Sequence, residues 1–239
     1  MILEVHRDAA AAARAAAALL RDVVAAARAD VHVALSAGRG ITAMLDALPG
    51  VATGRDVDWT RVTWIVADER DVSVDDARRN DAVIARGVAA IDPTIAGDVV
   101  HEMRMVRMAP ETGATRAVRA LTDRLARIST LDLAMLGLGD DGHVASLFPG
   151  HPALSADGVA VHLDDAPADP PGRMTLTLDM LGRATRRVIV TAGASKRDAI
   201  GALARGQDLP VTRWRPTLVV LDEAAMPDDV DGRLVRRAG

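Results

Sequence analysis

The stretch LDLAMLGLGDDGHVASLFPGHPAL, Leu131 to Leu154, changes character partway along. Its first part, Leu131 to Leu138, is apolar apart from Asp132, which suits a buried strand. Gly137, Gly139, Asp140, Asp141, Gly142 and His143 then fall within seven positions. Glycine lacks the Cβ that restricts the backbone, so such a segment can turn tightly and approach a ligand. Open α/β sheets bind their ligands at the carboxyl ends of their strands, where this segment would lie. Phe148, the only Phe of the chain, follows before Pro149 and Gly150. The stretch reads as a strand feeding an active-site loop.

Outward from it, strand and helix patterns alternate. Upstream, the patterns predict strands over Ile2 to Val5, Val31 to Leu35 and Arg61 to Val66, with another over Val99 to Val106. Helices are predicted over Ala9 to Ala29, Ile41 to Leu48, Asp81 to Ala90 and Glu111 to Ile128. Pro49 to Asp58 reads as a loop. So does the charged run from Asp68, Glu69 and Arg70 through Asp71, Asp75, Asp76, Arg78 and Arg79. Downstream, Ser155 to Pro171 reads as a surface segment with a short strand at Val159 to Leu163. Strands follow over Arg173 to Leu178, Arg187 to Thr191 and Thr217 to Leu221. A helix is predicted from Ser195 to Ala204, and Arg205 to Arg215 is loop-like. Such alternation implies parallel βαβ units. The expectation is a single Rossmann-like α/β domain over residues 1–239. Its sheet is mainly parallel, with helices on both faces and a small antiparallel appendage around residues 159 to 178.

Composition narrows the function classes. The chain has 239 residues, 49% of them hydrophobic and 2% aromatic. That is enough for a sizeable core, packed mostly by aliphatic side chains. The formal net charge of -4 lacks the basic excess of a nucleic-acid binder. There is no cysteine, so thiolate catalysis, disulfides and Cys-based zinc sites are excluded. The first twenty residues carry Glu4, Arg7, Asp8 and Arg14, unlike a signal peptide. No apolar run is long enough to span a membrane. A cytoplasmic protein is the expectation.

Four segments at strand ends hold the chemical groups. Ser36 to Gly40 is a Gly-containing turn before a helix, where backbone N–H groups can bind an anion and Ser36 and Arg39 can add donors. Asp68, Glu69 and Arg70 follow a strand, and a guanidinium there can hold a phosphate or an oxyanion. Gly193 to Lys196 enters a helix with the only lysine of an Arg-rich chain. A lysine is mildly unfavourable at a helix N-terminus unless both share an anion. Arg173 opens its strand as a further cation. In the fourth segment Gly137, Gly139 and Gly142 formally spell a dinucleotide fingerprint. Asp140 and Asp141 would oppose a pyrophosphate, and Pro149 and Gly150 leave little room for the long helix that fingerprint needs. His143 is the stronger clue, since an imidazole can take a proton from water near neutral pH and an adjacent carboxylate can orient it. Asp141 is favoured over Asp140 for that task. His6, His32, His101, His151 and His162 are expected on strands or loops without such company, structural or solvated, and form no metal-ligand spacing.

Together these segments match a family. GLGDDGHVASLFPG resembles the G-x-G-x-DGH-T-A-S-L-F-P-G signature of the 6-phosphogluconolactonases. VADERDVSVDDARRND resembles the family's DER loop and the Asn that follows it, here Asn80. LSAGRG stands where the family has its Gly-rich LSGGSTP-type turn. RMTLTLDML, GASKRDAI and LVVLDEAA resemble its R-x-T, G-x-x-K and closing-strand segments, from about Val31 to Ala225. The resemblance implies hydrolysis of 6-phospho-D-glucono-1,5-lactone without metal or organic cofactor. It also implies the fold shared with glucosamine-6-phosphate deaminase and ribose-5-phosphate isomerase. A monomer or homodimer is expected. By the family's pattern His143 is the base that activates water, and Arg70 lies near the reacting end or the phosphate. Arg173, Lys196 and the Ser36, Gly38, Arg39 turn hold the phosphate, and Asp68 belongs to the substrate site. Ala37, Arg39 and Gly40 depart from the family's turn, which puts its anion site in question. The alternatives are a deaminase/isomerase for an amino sugar phosphate and a non-catalytic sugar-phosphate sensor.

Overall fold

A computed structural model describes residues 1–52, 57–91, 105–106, 109 and 112–238. The strands are β1 (Ile2–His6), β2 (Val31–Leu35), β3 (Val62–Val66), β4 (Asp68–Arg70), β5 (Met105–Val106), β6 (Leu131–Leu136), β7 (Ala160–Leu163), β8 (Arg173–Leu176), β9 (Ala184–Val190), β10 (Leu218–Asp222) and β11 (Val235–Arg237). The α-helices are α1 (Ala9–Ala26), α2 (Arg39–Val51), α3 (Asn80–Ala89), α4 (Ala114–Leu125), α5 (Leu178–Gly182), α6 (Arg197–Ala204) and α7 (Pro210–Trp214).

Among the described residues, eight strands form one sheet in the order β11-β1-β10-β9-β6-β2-β3-β5. Every pairing in it is parallel. The centre is β6, flanked by β2 and β9, so the stretch Leu131 to Leu154 starts in the middle of the sheet. Its side chains alternate between faces, as pleating requires. Leu133 and Met135 join one core with α1, α2 and α3. Ala134 and Leu136 join another with α4, α6 and α7. The sheet therefore carries helices on both faces, as alternation implied. The antiparallel appendage is also present, as a three-stranded sheet in the order β4-β8-β7.

Local sequence explains most boundaries. Asp8 caps α1, its Oδ1 accepting the Ala11 N–H at 2.7 Å. The helix then buries a stripe of Ala12, Ala16, Ala17 and Leu20, small enough for α1 to lie close against α2. Gly40 makes a close approach possible elsewhere: a Cβ there would lie 2.2 Å from the Val190 carbonyl oxygen. This glycine, one of the departures from the family's turn, seats the first turn of α2 against β9.

Several expectations are corrected. Asp68 to Arg70 is no loop: it is β4, paired with Arg173 to Thr175. Asp68 and Glu69 are buried. Pro49 sits inside α2. Residues 210 to 214 within the expected loop form α7, with Pro210 in its first turn, where its missing N–H costs nothing. Of the strand expected over Val99 to Val106 only Met105 and Val106 are described, as β5, and residues 99–104 lie outside the described residues.

Candidate active site

The carboxyl ends of β2, β3, β6, β9 and β10 surround a cavity of about 600 Å³. The end of β2 contributes Ser36 to Gly40, β4 contributes Asp68 and Arg70, and the loop after β6 contributes Gly137 to Asp140, His143 and Ala145. Asn80 of α3, Lys196 beyond β9 and Asp222 of β10 complete the polar wall. The first turn of α1 adds Ala9, Ala12 and Ala13.

In the loop after β6, Asp141 Oδ1 lies 2.6 Å from His143 Nδ1 and also accepts the His143 backbone N–H at 3.0 Å. The carboxylate thus fixes both ring and backbone. With Nδ1 serving as donor to Asp141, Nε2 keeps the lone pair that can accept a proton. The ring packs against Phe148, centroids 4.7 Å apart. Gly139 makes room for the pair: a Cβ there would lie 2.0 Å from His143 Nδ1 and 2.6 Å from Asp141 Oδ1. Gly142 turns the chain at φ +84°. Gly137 is under no such demand, since its Cβ would meet Gly38 at an ordinary 3.7 Å.

Asp140 points elsewhere. Its Oδ1 lies 2.6 Å from Lys196 Nζ and accepts the Ser195 hydroxyl at 3.2 Å. Lys196 bonding, first of several causes, holds the Asp140 carboxyl below the usual range. Lys196 also donates to the Leu138 carbonyl at 2.6 Å and is buried. The sole lysine is therefore built into the wall, already matched by a carboxylate.

The β4 side is a buried polar layer. Glu69 accepts backbone N–H groups from Arg70, Asn80 and Asp81 at 2.8, 2.7 and 2.9 Å. Burial pushes its carboxyl up to about 7, against the pull of those donors and of Arg79. Glu69 thereby ties β4 to the start of α3. Asn80 Nδ2 donates to the Asp68 carbonyl at 2.7 Å, which directs Asn80 Oδ1 away from that bond. The Ser146 hydroxyl donates to Asp68 Oδ2 at 2.8 Å. Ser146 is thus engaged by Asp68 and not by His143. Ala145 before it adopts φ +51°, a conformation costing an alanine about 1–2 kcal/mol. Three buried atoms here have no hydrogen-bond partner among the described residues: Asp68 Oδ1, Asn80 Oδ1 and Arg70 Nε. All three residues line the cavity.

The structure thus brings together Ser36, Gly38, Arg39, Asp68, Arg70, Gly137, Gly139, His143 and Lys196 around one space, with Asp141 and Gly142 directly behind His143. Ser36 is occupied in part, its Oγ accepting the Gly137 N–H at 3.1 Å. Gly38 caps α2, whose first N–H groups and exposed Arg39 meet the cavity. Arg173 is the exception. It is buried beside Arg70 in the β4–β8 ladder and donates to the Pro170 and Asp169 carbonyls at 2.7 and 3.0 Å. Desolvation, followed by the neighbouring Arg70, lowers its pKa. It lies behind Arg70 and does not line the cavity.

A further correction concerns the histidines. Other histidines do pair with carboxylates: His6 with Glu4, His151 with Asp165 and His162 with Asp71, at 3.0, 2.9 and 2.8 Å. A carboxylate partner therefore does not single out His143; the cavity wall does. Asn80 was legible only as part of a motif, and its orphaned oxygen came from the fold. No helix among the described residues is long and apolar enough to cross a membrane.

Comparisons with known proteins bear on this site. Residues 6–221 match the family described as glucosamine-6-phosphate isomerases/6-phosphogluconolactonase. A 6-phosphogluconolactonase of Streptomyces coelicolor is 32% identical over 248 residues, covering 93% of this chain and 92% of that one. Among solved structures, the 6-phosphogluconolactonase of Leishmania guyanensis superposes with a TM-score of 0.76 at 20% identity, covering 94% and 97% of the two chains. A monomeric glucosamine-6-phosphate deaminase superposes with a TM-score of 0.77 at 18% identity, covering 94% and 98%. At those identities the structural likeness shows the fold alone.

Proposed function

The chain belongs to the family of glucosamine-6-phosphate isomerases and 6-phosphogluconolactonases, and on that premise we propose that it hydrolyses 6-phospho-D-glucono-1,5-lactone to 6-phosphogluconate. The observation that carries the reading is the Asp141–His143 pair, 2.6 Å apart, on the wall of a cavity that also holds Lys196, Arg39 and Arg70. A base next to cations suits a neutral lactone that carries a phosphate.

His143 Nε2 takes a proton from a water as that water's oxygen attacks C1 of the lactone. Asp141 stabilises the imidazolium that forms. Negative charge develops on the former carbonyl oxygen, and the guanidinium of Arg70, which lines the cavity, supplies a donor for it. The bond between C1 and the ring oxygen then breaks, the ring oxygen takes the proton back from His143, and an open-chain acid leaves. General-base catalysis contributes about 10²–10⁴-fold. Electrostatic help at the oxyanion contributes about 10²–10³-fold more. A δ-lactone is reactive enough for that equipment.

Asp68 and Asn80 line the cavity and bring acceptor oxygens to it, a type that matches sugar hydroxyl groups. Lys196 and the α2 N-terminus with Arg39 offer the charge for the phosphate. Arg173 serves by holding the segment behind Arg70. The reading uses no metal or organic cofactor, and since one chain supplies every group it holds for a monomer or a homodimer.

The deaminase alternative shares the fold, and the lactonase relative that covers nearly the whole chain weighs against it. A phosphate sensor would need the cations but no ordered base. The test is turnover of freshly generated lactone, corrected for spontaneous hydrolysis, beside ammonia release from glucosamine 6-phosphate. Lactone turnover without ammonia release supports the reading. Ammonia release without lactone turnover overturns it.

A further inference from the structure

The cation best placed for a phosphate is already occupied by the chain itself. Lys196 is 9% exposed and fixed by the Leu138 carbonyl. Its carboxylate partner Asp140 is the opposite: 62% of that side chain is exposed. Among the described residues, the Ser195 hydroxyl, at 3.2 Å, is the other hydrogen-bond partner of Asp140 besides Lys196, and Arg39 adds a weaker pull of charge. In such an unequal pair the ammonium stays and the carboxylate can leave.

Resting on the assignment of Lys196 to the substrate phosphate, we infer that Asp140 is a tethered stand-in for that phosphate, covering Lys196 and Ser195 in the empty site and giving them up when a phosphorylated ligand arrives. The physical need is clear on both sides of the exchange. An ammonium left alone in a dry wall is costly, and Asp140 removes that cost while the site is empty. A phosphate dianion and a carboxylate cannot share one ammonium without strong repulsion. The phosphate must therefore displace Asp140. The exposed position of Asp140 lets water take over its solvation.

The consequence is a tax on binding. A ligand that must first open the pair binds more weakly by the fraction of time the pair is open. The tax falls equally on substrate and product, since both carry the phosphate. It raises KM and helps the product leave, because Asp140 recaptures Lys196. It does not fall on an unphosphorylated lactone, which leaves the pair closed. Asp140 is thus a specificity-determining residue that acts through Lys196, distinct from its neighbour Asp141, which serves the base.

The experiment measures inhibition constants of inorganic phosphate and 6-phosphogluconate, and KM for phosphorylated and unphosphorylated gluconolactone, in wild type, Asp140→Asn, Asp140→Ala and Lys196→Met. Thermal melts of each variant check that it folds. The expected result is about fivefold tighter inhibition by both phosphate ligands, and about fivefold lower KM for the phosphorylated lactone, in both Asp140 variants. KM for the unphosphorylated lactone stays within twofold. Unchanged or weaker phosphate binding in both Asp140 variants, with Lys196→Met still weakening it, overturns the stand-in and leaves the phosphate assignment intact. Phosphate affinity unaffected by Lys196→Met overturns the assignment and the inference with it.

Discussion

The two ends of the cavity are built on opposite plans. At the β4 end, Asp68 Oδ1, Asn80 Oδ1 and Arg70 Nε have no partner among the described residues, yet each side chain is anchored through its other atoms. At the Lys196 end the charge is already matched, by Asp140 at 2.6 Å. Acceptor side chains on the wall fit hydroxyl groups, which bring their own donors. A buried cation awaiting a phosphate would be costly to leave open, and there the chain supplies a substitute anion. The His143 loop and the residues after it touch both ends: Asp140 pairs with Lys196, and the Ser146 hydroxyl donates to Asp68.

The largest effect expected from breaking this division is at Asp141. Asp141→Asn removes the carboxylate that sets the imidazole tautomer, and kcat should fall by about 10²–10³-fold with little change in KM. Gly139→Ala comes next. Its Cβ would lie 2.0 Å from His143 Nδ1, so the ring must move, and kcat should fall by about 10²-fold. Steady-state kinetics check both, with circular dichroism to show that the fold survives. Lys196→Met should act at the other end, raising KM for the phosphorylated lactone by about tenfold through loss of a charged hydrogen bond. A fall in kcat as large as that of Asp141→Asn would erase the distinction between the ends.

How much of this was legible beforehand depended on distance along the chain. Val31 to Leu35 reads as a strand because its side chains are apolar and β-prone, and it is one. The strand Asp68 to Arg70 was missed because three charged residues show no apolar period; only pairing with Arg173 to Thr175 makes them a strand. Asp141 and His143, two residues apart, could be matched by eye. The Asp140–Lys196 pair has β7, β8 and β9 between its members and could not. The same holds for Ser146 and Asp68. The order of the cations was visible, but not that Arg173 turns toward Pro170. Lys196 stood out because it is the only lysine, and the structure gives it a carboxylate where an external anion was expected.

The smallest effect concerns the layer behind β4. Burial raises Glu69 from 4.5 to about 7 in the folded chain. Between those values the folded chain keeps a proton that the unfolded chain has released. The associated stability is full below pH 4.5 and is lost as pH rises through about 7. Urea midpoints should decline over that window, and Glu69→Gln should flatten the decline. An equal slope in the variant would place the proton elsewhere.

The central claim is that proton transfer belongs to His143 and phosphate binding to Lys196 and the Arg39 turn. The most direct measurement pairs lactone turnover with calorimetric binding of 6-phosphogluconate in His143→Ala. Turnover should fall by at least about 10²-fold. The dissociation constant should stay within about threefold of wild type, because the phosphate contacts are untouched. Full turnover in the variant would contradict the claim, and so would loss of product binding in step with turnover.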